Sequence, residues 1–324
     1  MEEKSYQQMR KEFQQQYFNK IVPLITFNEN ERKKYLFITK MITFVAILIA
    51  IGYYVFSKVV DIGVIIAICI FAAAGKRFLK KKFEKVLKDT IMPKVCKCFG
   101  NLRWNNNNYS GFSDLFVNAH IIPQFDLSFY DDIFYGKHKD VNFEIIEATF
   151  CSTKQEMSLL SSKMVCNLIS TYLNPPKSKF KVFNGVIVKL AMNKNFTGNT
   201  IIQPNSIMHS SPSSSLKHTT LEDVEFEKHF DVYTNDEVEA RYLITPSFME
   251  RLKSMQIAFK ADKVSCAFYD KYLFIALHTQ DDVFSIGDLA VPVDDDKQYF
   301  TMFEEILSII QLIDHFKLEQ KIGL

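Results

Sequence analysis

Residues 41–75 read MITFVAILIAIGYYVFSKVVDIGVIIAICIFAAAG, and this apolar stretch decides the fold. Met41–Ser57 carries no charged residue, Ile62–Gly75 carries none either, and Lys58 and Asp61 lie between the two runs. A membrane helix needs about 20 mainly apolar residues to cross about 30 Å of hydrocarbon. A single helix of these 35 residues would be about 50 Å long. The length therefore predicts two short membrane helices joined by a turn at residues 58–61.

Two alternatives compete with this hairpin. One is a single tilted helix in which Lys58 and Asp61 pair inside the membrane, and the other is a helical hairpin buried in a soluble core. The flanking charges favour the membrane hairpin, because lysine and arginine near membrane segments stay cytoplasmic. Both flanks are basic, so both termini are expected in the cytoplasm. The flanking basic residues are Arg32, Lys33, Lys34 and Lys40 before the stretch, and Lys76, Arg77, Lys80, Lys81 and Lys82 after it.

The net charge of +2 conceals an asymmetry along the chain. Residues 1–100 hold 18 basic and 8 acidic residues, a net charge of +10, whereas residues 101–324 have a net charge of −8. A basic part near the membrane and an acidic globular part are typical of a protein at an anionic inner leaflet. The acidic balance argues against nucleic-acid binding, which needs a basic face.

Composition also indicates the compartment and the source. The six cysteines form no CxxC pair, which predicts reduced thiols in a cytoplasmic environment. The first thirty residues are polar and charged, so no cleavable signal peptide is expected there. Six arginines stand against thirty-three lysines, as in proteins from AT-rich bacterial genomes. We therefore expect a two-pass protein of the bacterial cytoplasmic (inner) membrane.

The pattern divides the chain into four parts: residues 1–40, 41–75, 76–100 and 101–324. Within the first part, an apolar stripe predicts an amphipathic helix that packs on the rest of the protein or lies on the membrane surface. The stripe consists of Tyr6, Met9, Phe13, Tyr17, Ile21 and Leu24. The third part is predicted to continue the second membrane helix as a basic juxtamembrane helix that Pro93 ends or kinks.

The basic face of this juxtamembrane helix has two interpretations. It is either a solvated positive-inside face or a contact for anionic lipids, to which each basic residue adds about 1 kcal/mol. The candidate lipid contacts are Lys76, Arg77, Lys80, Lys81 and Lys82. Cys96 and Cys98 are a weak metal motif without a second pair, and neither a metal nor a cofactor is predicted.

Residues 101–324 are predicted to form an α+β cytoplasmic domain with a largely antiparallel sheet. Strands are predicted at 126–135, 141–150, 179–192, 199–204, 264–268 and 272–278, and the alternation in 179–192 indicates a half-buried strand. Helices are predicted at 113–121, 154–173, 246–255 and 297–318. Residues 105–108 and the Ser-rich residues 205–220 are predicted to be loops.

Several segments of this domain resemble a bacterial family that is catalogued only as a domain of unknown function. The most specific segments are FEKHFDVY at 226–233 and EARYLITPSFMERL at 239–252. The family is also similar to three shorter segments: VFNGV at 182–186, NKNFTG at 193–198, and YDDIFYG at 130–136 with Phe143 and Glu144. The chain departs from the family in its Ser-rich 206–219 loop and over 151–178. The resemblance implies two N-terminal membrane helices and no particular activity.

The P-loop, GxSxG, HExxH, GxGxxG and paired CxxC motifs are absent from the sequence. The strongest candidate patch is Glu237, Glu239, Arg241 and Tyr242. If residues 236–243 form a strand, Glu237, Glu239 and Arg241 share one face, either as a structural ion-pair cluster or as a contact for a ligand or partner. Ion pairing with nearby acids explains His229 more simply than a metal site does. Helix capping likewise explains Asp294–Asp296 more simply than a metal site does.

Taken together, these features predict a membrane-anchored interaction or ligand-binding protein. Its expected partners are membrane lipids and an unidentified protein, and a homo-oligomer is compatible with the sequence. The alternative is a membrane-bound hydrolase that uses the carboxylates of residues 222–239 and Arg241. A channel or transporter is a third hypothesis, which would need several chains to assemble.

Overall fold

The computed structural model describes residues 6–58, 61–105, 113–152, 181–192, 195–205, 211–221 and 223–321. The predicted helix at 154–173, most of the predicted loop at 105–108 and residues 206–210 of the Ser-rich loop lie outside these residues. The described residues form two compact units. The anchor unit contains the residues up to Cys98 and Ser285–Tyr299, and the sheet unit contains the others. The division of the chain into four parts stays a prediction.

The anchor unit begins with a helix that changes its pitch. Helix α1 (Tyr6–Gln16) passes through a π-helical turn (Tyr17–Ile21) into α2 (Val22–Ser57). The buried stripe is strictly four residues apart: Met9, Phe13, Tyr17, Ile21 and Ile25. A spacing of four exceeds the 3.6 residues of an α-helical turn, so an α-helix alone would rotate this stripe off its face. The wider π turn compensates for the rotation, and Ile25 is buried in place of the predicted Leu24.

The predicted hairpin is confirmed. Helix α2 ends at Ser57 and α3 (Ile62–Cys96) begins after a short connection, so the apolar stretch forms two helices. Helix α3 continues without a break from the apolar run into the basic juxtamembrane segment, as predicted. Pro93 lies inside α3, which ends three residues later at Cys96 and is followed by a 3-10 turn, Lys97–Phe99.

The sheet unit is built on one antiparallel sheet, so the predicted α+β class is confirmed. Nine strands of the described residues follow the order β1-β2-β3-β4-β9-β8-β5-β7-β6, and every pair is antiparallel. The strands are β1 (Arg103–Asn105), β2 (Leu127–His138), β3 (Val141–Cys151), β4 (Lys181–Ala191), β5 (Thr200–Pro204), β6 (Lys217–Thr219), β7 (Phe230–Thr234), β8 (Lys263–Tyr269) and β9 (Tyr272–His278).

Five helices accompany the sheet in sequence: α4 (Ser113–Asn118), α5 (Val224–Glu227), α6 (Glu237–Leu243), α7 (Pro246–Ala258) and α8 (Lys297–Lys321). Phe116 of α4 packs on Phe274 of β9 at 4.9 Å between ring centroids, within a cluster on one face of the sheet. Phe248 of α7 packs on Phe268 of β8 at 5.5 Å. Since Ala267 belongs to the first cluster and successive strand residues alternate, Phe268 lies on the opposite face.

The prediction of a half-buried strand at 179–192 is wrong. Strand β4 lies between β3 and β9, and Val186, Ile187 and Val188 are all at most 1% exposed. A strand that is covered on both faces carries continuous apolar runs instead of an alternation. Gly185 marks the same close packing, because its φ is +144° and a Cβ there would lie 2.0 Å from the carbonyl oxygen of Leu277.

Candidate membrane and partner sites

The apolar hairpin is the most exposed apolar surface of the anchor unit. The segments Phe27–Ser57 and Ile62–Phe99, which contain the apolar parts of α2 and α3, are long and apolar enough to cross a membrane. The most apolar part of each segment is not buried inside the protein. Phe56 is 93% and Phe71 80% exposed. A helix that is exposed and apolar on every side is unfavourable in water and favourable in a bilayer. The hairpin and the α+β domain thus define a class of protein, a membrane protein with an attached sheet domain.

Backbone geometry explains why the apolar stretch turns where it does. Lys58 adopts the left-handed conformation with φ 53°, and its N–H donates to the Tyr54 carbonyl at 2.8 Å, which ends α2. Asp61 starts α3, because its Oδ1 accepts hydrogen bonds from the N–H groups of Gly63 at 2.8 Å and Val64 at 3.4 Å. Lys58 therefore ends one helix and Asp61 starts the next, and the alternative of one long helix is wrong.

The register of the two helices brings the basic flanks together. A Cβ at Gly75 would lie 3.6 Å from Ile42, and the rings of Tyr35 and Phe83 lie 5.5 Å apart. In this register Lys40, two residues before Ile42, lies level with Lys76 and Arg77. We call Lys40, Lys76, Arg77, Lys81 and Lys82 the basic collar, and it surrounds the open end of the hairpin.

The five candidate lipid contacts are not equivalent. Arg77, Lys81 and Lys82 are exposed and Lys76 is half-buried. Lys80 is committed within the protein, since its Nζ lies 2.8 Å from Asp288 Oδ2. Burial would raise the pKa of Asp288, but the hydrogen bonds from Lys80 and the Ala290 N–H hold that pKa below its usual range. Lys80 thus binds the segment 285–293, and its assignment as a lipid contact stays a prediction.

A buried ion pair beneath the collar was missed at the level of sequence. Arg32 is 8% exposed and holds Glu29 through two hydrogen bonds, Nε to Oε2 at 2.7 Å and Nη2 to Oε1 at 2.6 Å. Its Nη1 donates to the Leu289 carbonyl at 2.7 Å, and Glu29 Oε2 accepts the Val293 N–H at 3.1 Å. We call this arrangement the Glu29–Arg32 clamp. The scarcity of arginine and the three-residue spacing on a helix were the signals for it.

The second candidate site lies on a helix, so the strand assumed for residues 236–243 is wrong. Asp236 starts helix α6, because its Oδ1 accepts the Glu239 N–H at 2.9 Å. This bond, followed by one from the Thr197 hydroxyl, lowers the pKa of Asp236. On a helix, residues two apart point in different directions. Glu239 therefore points away from Glu237 and Arg241, which are four residues apart and lie on the same side of α6.

Glu239 has a structural role at the entrance to β5. It is 8% exposed, and its two carboxylate oxygens accept the N–H groups of Thr197 at 3.0 Å and Gly198 at 2.7 Å. Asn235 Oδ1 accepts the neighbouring Asn199 N–H at 2.7 Å. A Cβ at Gly198 would lie 2.6 Å from Asp236 Cβ, so only glycine allows this approach. The contact joins two of the segments that carry the family resemblance, 193–198 and 239–252.

The outer face of α6 is the exposed part of the predicted patch. Val238 is 66% and Tyr242 62% exposed, and Glu237 and Arg241 are exposed beside them. Arg241 donates through Nη2 to the Thr220 carbonyl at 3.3 Å. Among the residues that the structure describes, no ion pair joins Arg241 to Glu237 or Glu239. The predicted ion-pair cluster is therefore not formed, and the role of the four residues in binding a ligand or partner stays a prediction.

The carboxylates expected of a hydrolase point to separate places. Asp231 is buried and lies 3.5 Å from His218 Nε2, whereas His229 is exposed. Glu227 accepts the Leu221 N–H. A cavity of about 170 Å³ in the sheet unit is lined by other residues, which include His120, Asn199, Ser213 and Tyr269. Asp295 accepts the Lys297 N–H at the start of α8, as helix capping predicts.

Comparison with known proteins supports a domain without an assigned activity. Residues 181–318 match the model of a family, DUF3137, described as a protein of unknown function. The resemblance to a domain of unknown function is thus confirmed for this part of the chain, and the two apolar helices lie outside the match. None of the curated proteins matches the chain.

One solved structure shows a low similarity. The crystal structure of the mycobacterial trehalose monomycolate transport factor A, TtfA, has a TM-score of 0.34 and 6% sequence identity. The similarity covers 68% of this chain and 90% of that chain. At this TM-score the similarity carries no argument about fold or function.

Proposed function

We propose that this chain is a bacterial inner-membrane protein that holds its α+β domain at the cytoplasmic surface and binds a protein partner there. In this proposal the hairpin crosses the membrane twice, the turn at Lys58–Asp61 lies outside, and both termini are cytoplasmic. The register of the hairpin carries the proposal, because it gathers the basic collar at the open end and leaves the arms free of charge. Such an arrangement matches the preference of lysine and arginine for the cytoplasmic side.

The outer face of α6 is the proposed partner contact. Tyrosine and arginine are enriched among the residues that contribute most to binding energy at interfaces, and Tyr242, Arg241 and Val238 are adjacent on one exposed helix face. Glu237 lies at the edge of this face, whereas Glu239 supports it from inside. The hydrolase hypothesis gains no comparable support, since Asp231, Glu237 and Glu239 lie in different environments.

Topology is tested with reporters at two places. Alkaline phosphatase, which is active only outside the cytoplasm, is fused after Lys58 in one fusion protein and after Leu324 in another. We expect activity from the first fusion and none from the second, and a fluorescent protein after Leu324 should be bright. Phosphatase activity after Leu324 would reverse the proposed orientation.

The partner contact is tested by site-specific photocrosslinking in intact membranes. A photoreactive amino acid replaces Tyr242 in the full chain, and the control variant carries it at Ile257, which is 77% exposed on α7. We expect a discrete crosslinked species that depends on Tyr242 and is lost in an Arg241→Ala background. Equal crosslinking from both positions, or none from Tyr242, would contradict a partner site on α6.

A further inference from the structure

The apolar arms of the hairpin are short for an ordinary bilayer. Met41–Ser57 has 17 residues and Ile62–Gly75 has 14, so the arms are about 26 Å and 21 Å long. The hydrocarbon core of a typical bilayer is about 30 Å thick. The second arm therefore falls short of the core by about 9 Å, or six residues.

Charged residues fix both ends of the arms, so the hairpin cannot slide to correct the difference. Movement toward the open end would bury Lys58 and Asp61 of the turn, and the Asp61 carboxylate is already committed to the start of α3. Movement the other way would bury the collar residues Lys76 and Arg77. The cost of a charge rises with its depth in the hydrocarbon and reaches about 2.5 kcal/mol or more at the bilayer centre.

Aromatic residues mark the same short span. Tyr54 is 55% exposed and lies one turn before Lys58, and Tyr53 is its neighbour. Tyrosine prefers the interface between hydrocarbon and water, which places the outer boundary at or near these residues. Tilting would shorten the span of a helix further, so it offers no correction. A short span is accommodated by thinning of the bilayer, by snorkelling of the flanking lysines or by oligomerisation, each at a cost, and a bilayer that is already thin avoids that cost.

We propose that the hairpin is an anchor for thin membranes, whose lipid partner is a bilayer of short acyl chains. This inference rests on the proposed function, because it requires that the hairpin lies in a bilayer. The length of α3 between Asp61 and Lys76 sets the preferred thickness. Lys76 and Arg77 act as the stop that prevents Phe78 and Leu79 from entering the hydrocarbon.

The test is a competition between membranes of different thickness. The purified full chain is reconstituted from detergent into an equal mixture of two vesicle populations that can be separated by density. One contains dimyristoleoyl and the other dierucoyl phosphatidylcholine, each with the same fraction of the matching phosphatidylglycerol. We expect at least about a fivefold excess in the short-chain vesicles, since mismatch costs fractions of a kcal/mol per Å.

Two double variants test whether the length of the second arm or its flanking charge causes the excess in short-chain vesicles. Lys76→Leu/Arg77→Leu extends the apolar run of α3 to Leu79, and we expect the excess in short-chain vesicles to fall to about twofold or less, in line with a span that is about 6 Å longer. Lys85→Leu/Lys97→Leu removes two positive charges at exposed residues beyond the stop and outside the collar, and should leave the fivefold excess unchanged. These variants separate the length of the arm from its charge.

The possible failures are distinguishable. Equal distribution of the natural chain, or an excess in long-chain vesicles, would overturn the thin-membrane proposal while leaving the membrane anchor intact. A shift of the same size in both double variants would show that charge and not length decides, and would also overturn it. Extraction of the chain from both vesicle populations by alkaline carbonate would instead contradict the proposed function.

Discussion

Glu239 and Glu237 lie two positions apart on α6 and differ in what their carboxylates contact. Glu239 accepts two backbone N–H groups and is buried, whereas Glu237 is exposed. Glu239→Gln removes the charge and replaces one of the two accepting oxygens with an NH2 group, which cannot accept a hydrogen bond. Hydrogen bonds to a charged group contribute about 1.5–3 kcal/mol, so we expect the free energy of unfolding to fall by about 2 kcal/mol. Urea denaturation of the full chain in detergent measures the change, and Glu237→Gln, the matched control, should be within about 0.5 kcal/mol of the natural chain.

Glu305 makes a second prediction at the residue scale, because burial raises its pKa to about 8 against the ordinary 4.5. It is 5% exposed on α8, and Lys260 only partly opposes the effect of burial. Between these two pKa values the unfolded chain has released the proton and the folded chain retains it. Stability from this group therefore falls as pH rises from about 4.5 to 8, by up to about 1.4 kcal/mol per pH unit.

His278 determines the range of pH in which this effect is visible. Burial lowers its pKa from 6.5 to about 4, so its contribution to stability is lost on acidification from 6.5 to 4. Above pH 6.5 His278 is neutral in both states, and the slope between pH 6.5 and 8 reports Glu305. We expect Glu305→Gln to flatten the dependence of the unfolding free energy on pH in this range. An identical slope in the variant would show that Glu305 ionises normally in the folded chain.

At the scale of elements, the Glu29–Arg32 clamp joins α2 to the segment 285–293. Arg32→Lys keeps the charge but cannot reproduce a bidentate contact with Glu29 together with a bond to the Leu289 carbonyl. We expect the Val293 amide, which donates to Glu29, to exchange its hydrogen at least about tenfold faster in this variant. Hydrogen–deuterium exchange with mass spectrometry follows the peptide. The control is Lys34→Arg, which changes an exposed side chain of the same helix that pairs with Glu31 and not with Glu29. Unchanged protection of the peptide that contains Val293 would mean that other contacts suffice to hold the segment.

The elements differ in how far the sequence could predict them. The hairpin, β2, β3, β8, β9, α7 and α8 followed from long periodic runs and from capping residues such as Thr245, whose hydroxyl accepts the Phe248 N–H. Helix α6 was missed because the seven residues EVEARYL alternate as a strand does, and its start depends on Asp236. The clamp joins residues that are 257 positions apart, and no local pattern encodes such a contact. The scarcity of arginine predicts a specific bidentate role for an arginine, with Arg241 as the candidate. In the structure Arg32 makes the bidentate contact.

At the scale of the whole molecule, net positive charge and exposed apolar surface are concentrated in the N-terminal hundred residues. Residues 1–100 carry a net charge of +10. The two apolar arms of the hairpin begin at the basic collar. Lys80 pairs with Asp288, Lys88 with Glu84 at 3.0 Å and Arg32 with Glu29. The exposed collar residues Arg77, Lys81 and Lys82 therefore remain the strongest candidates for contact with anionic headgroups.

Replacement of the two adjacent lysines Lys81 and Lys82 is expected to weaken lipid binding specifically. Each basic residue near the surface contributes about 1 kcal/mol, so Lys81→Gln/Lys82→Gln should weaken the binding of phosphatidylglycerol by about 30-fold at low ionic strength. Native mass spectrometry of the full chain in neutral detergent, titrated with phosphatidylglycerol, measures the affinity. Lys217→Gln, at an exposed lysine of the sheet unit, should bind as the natural chain does. If the double variant bound phosphatidylglycerol unchanged, the collar would be a solvated positive-inside face, and the anchor would recognise the membrane through its apolar arms alone.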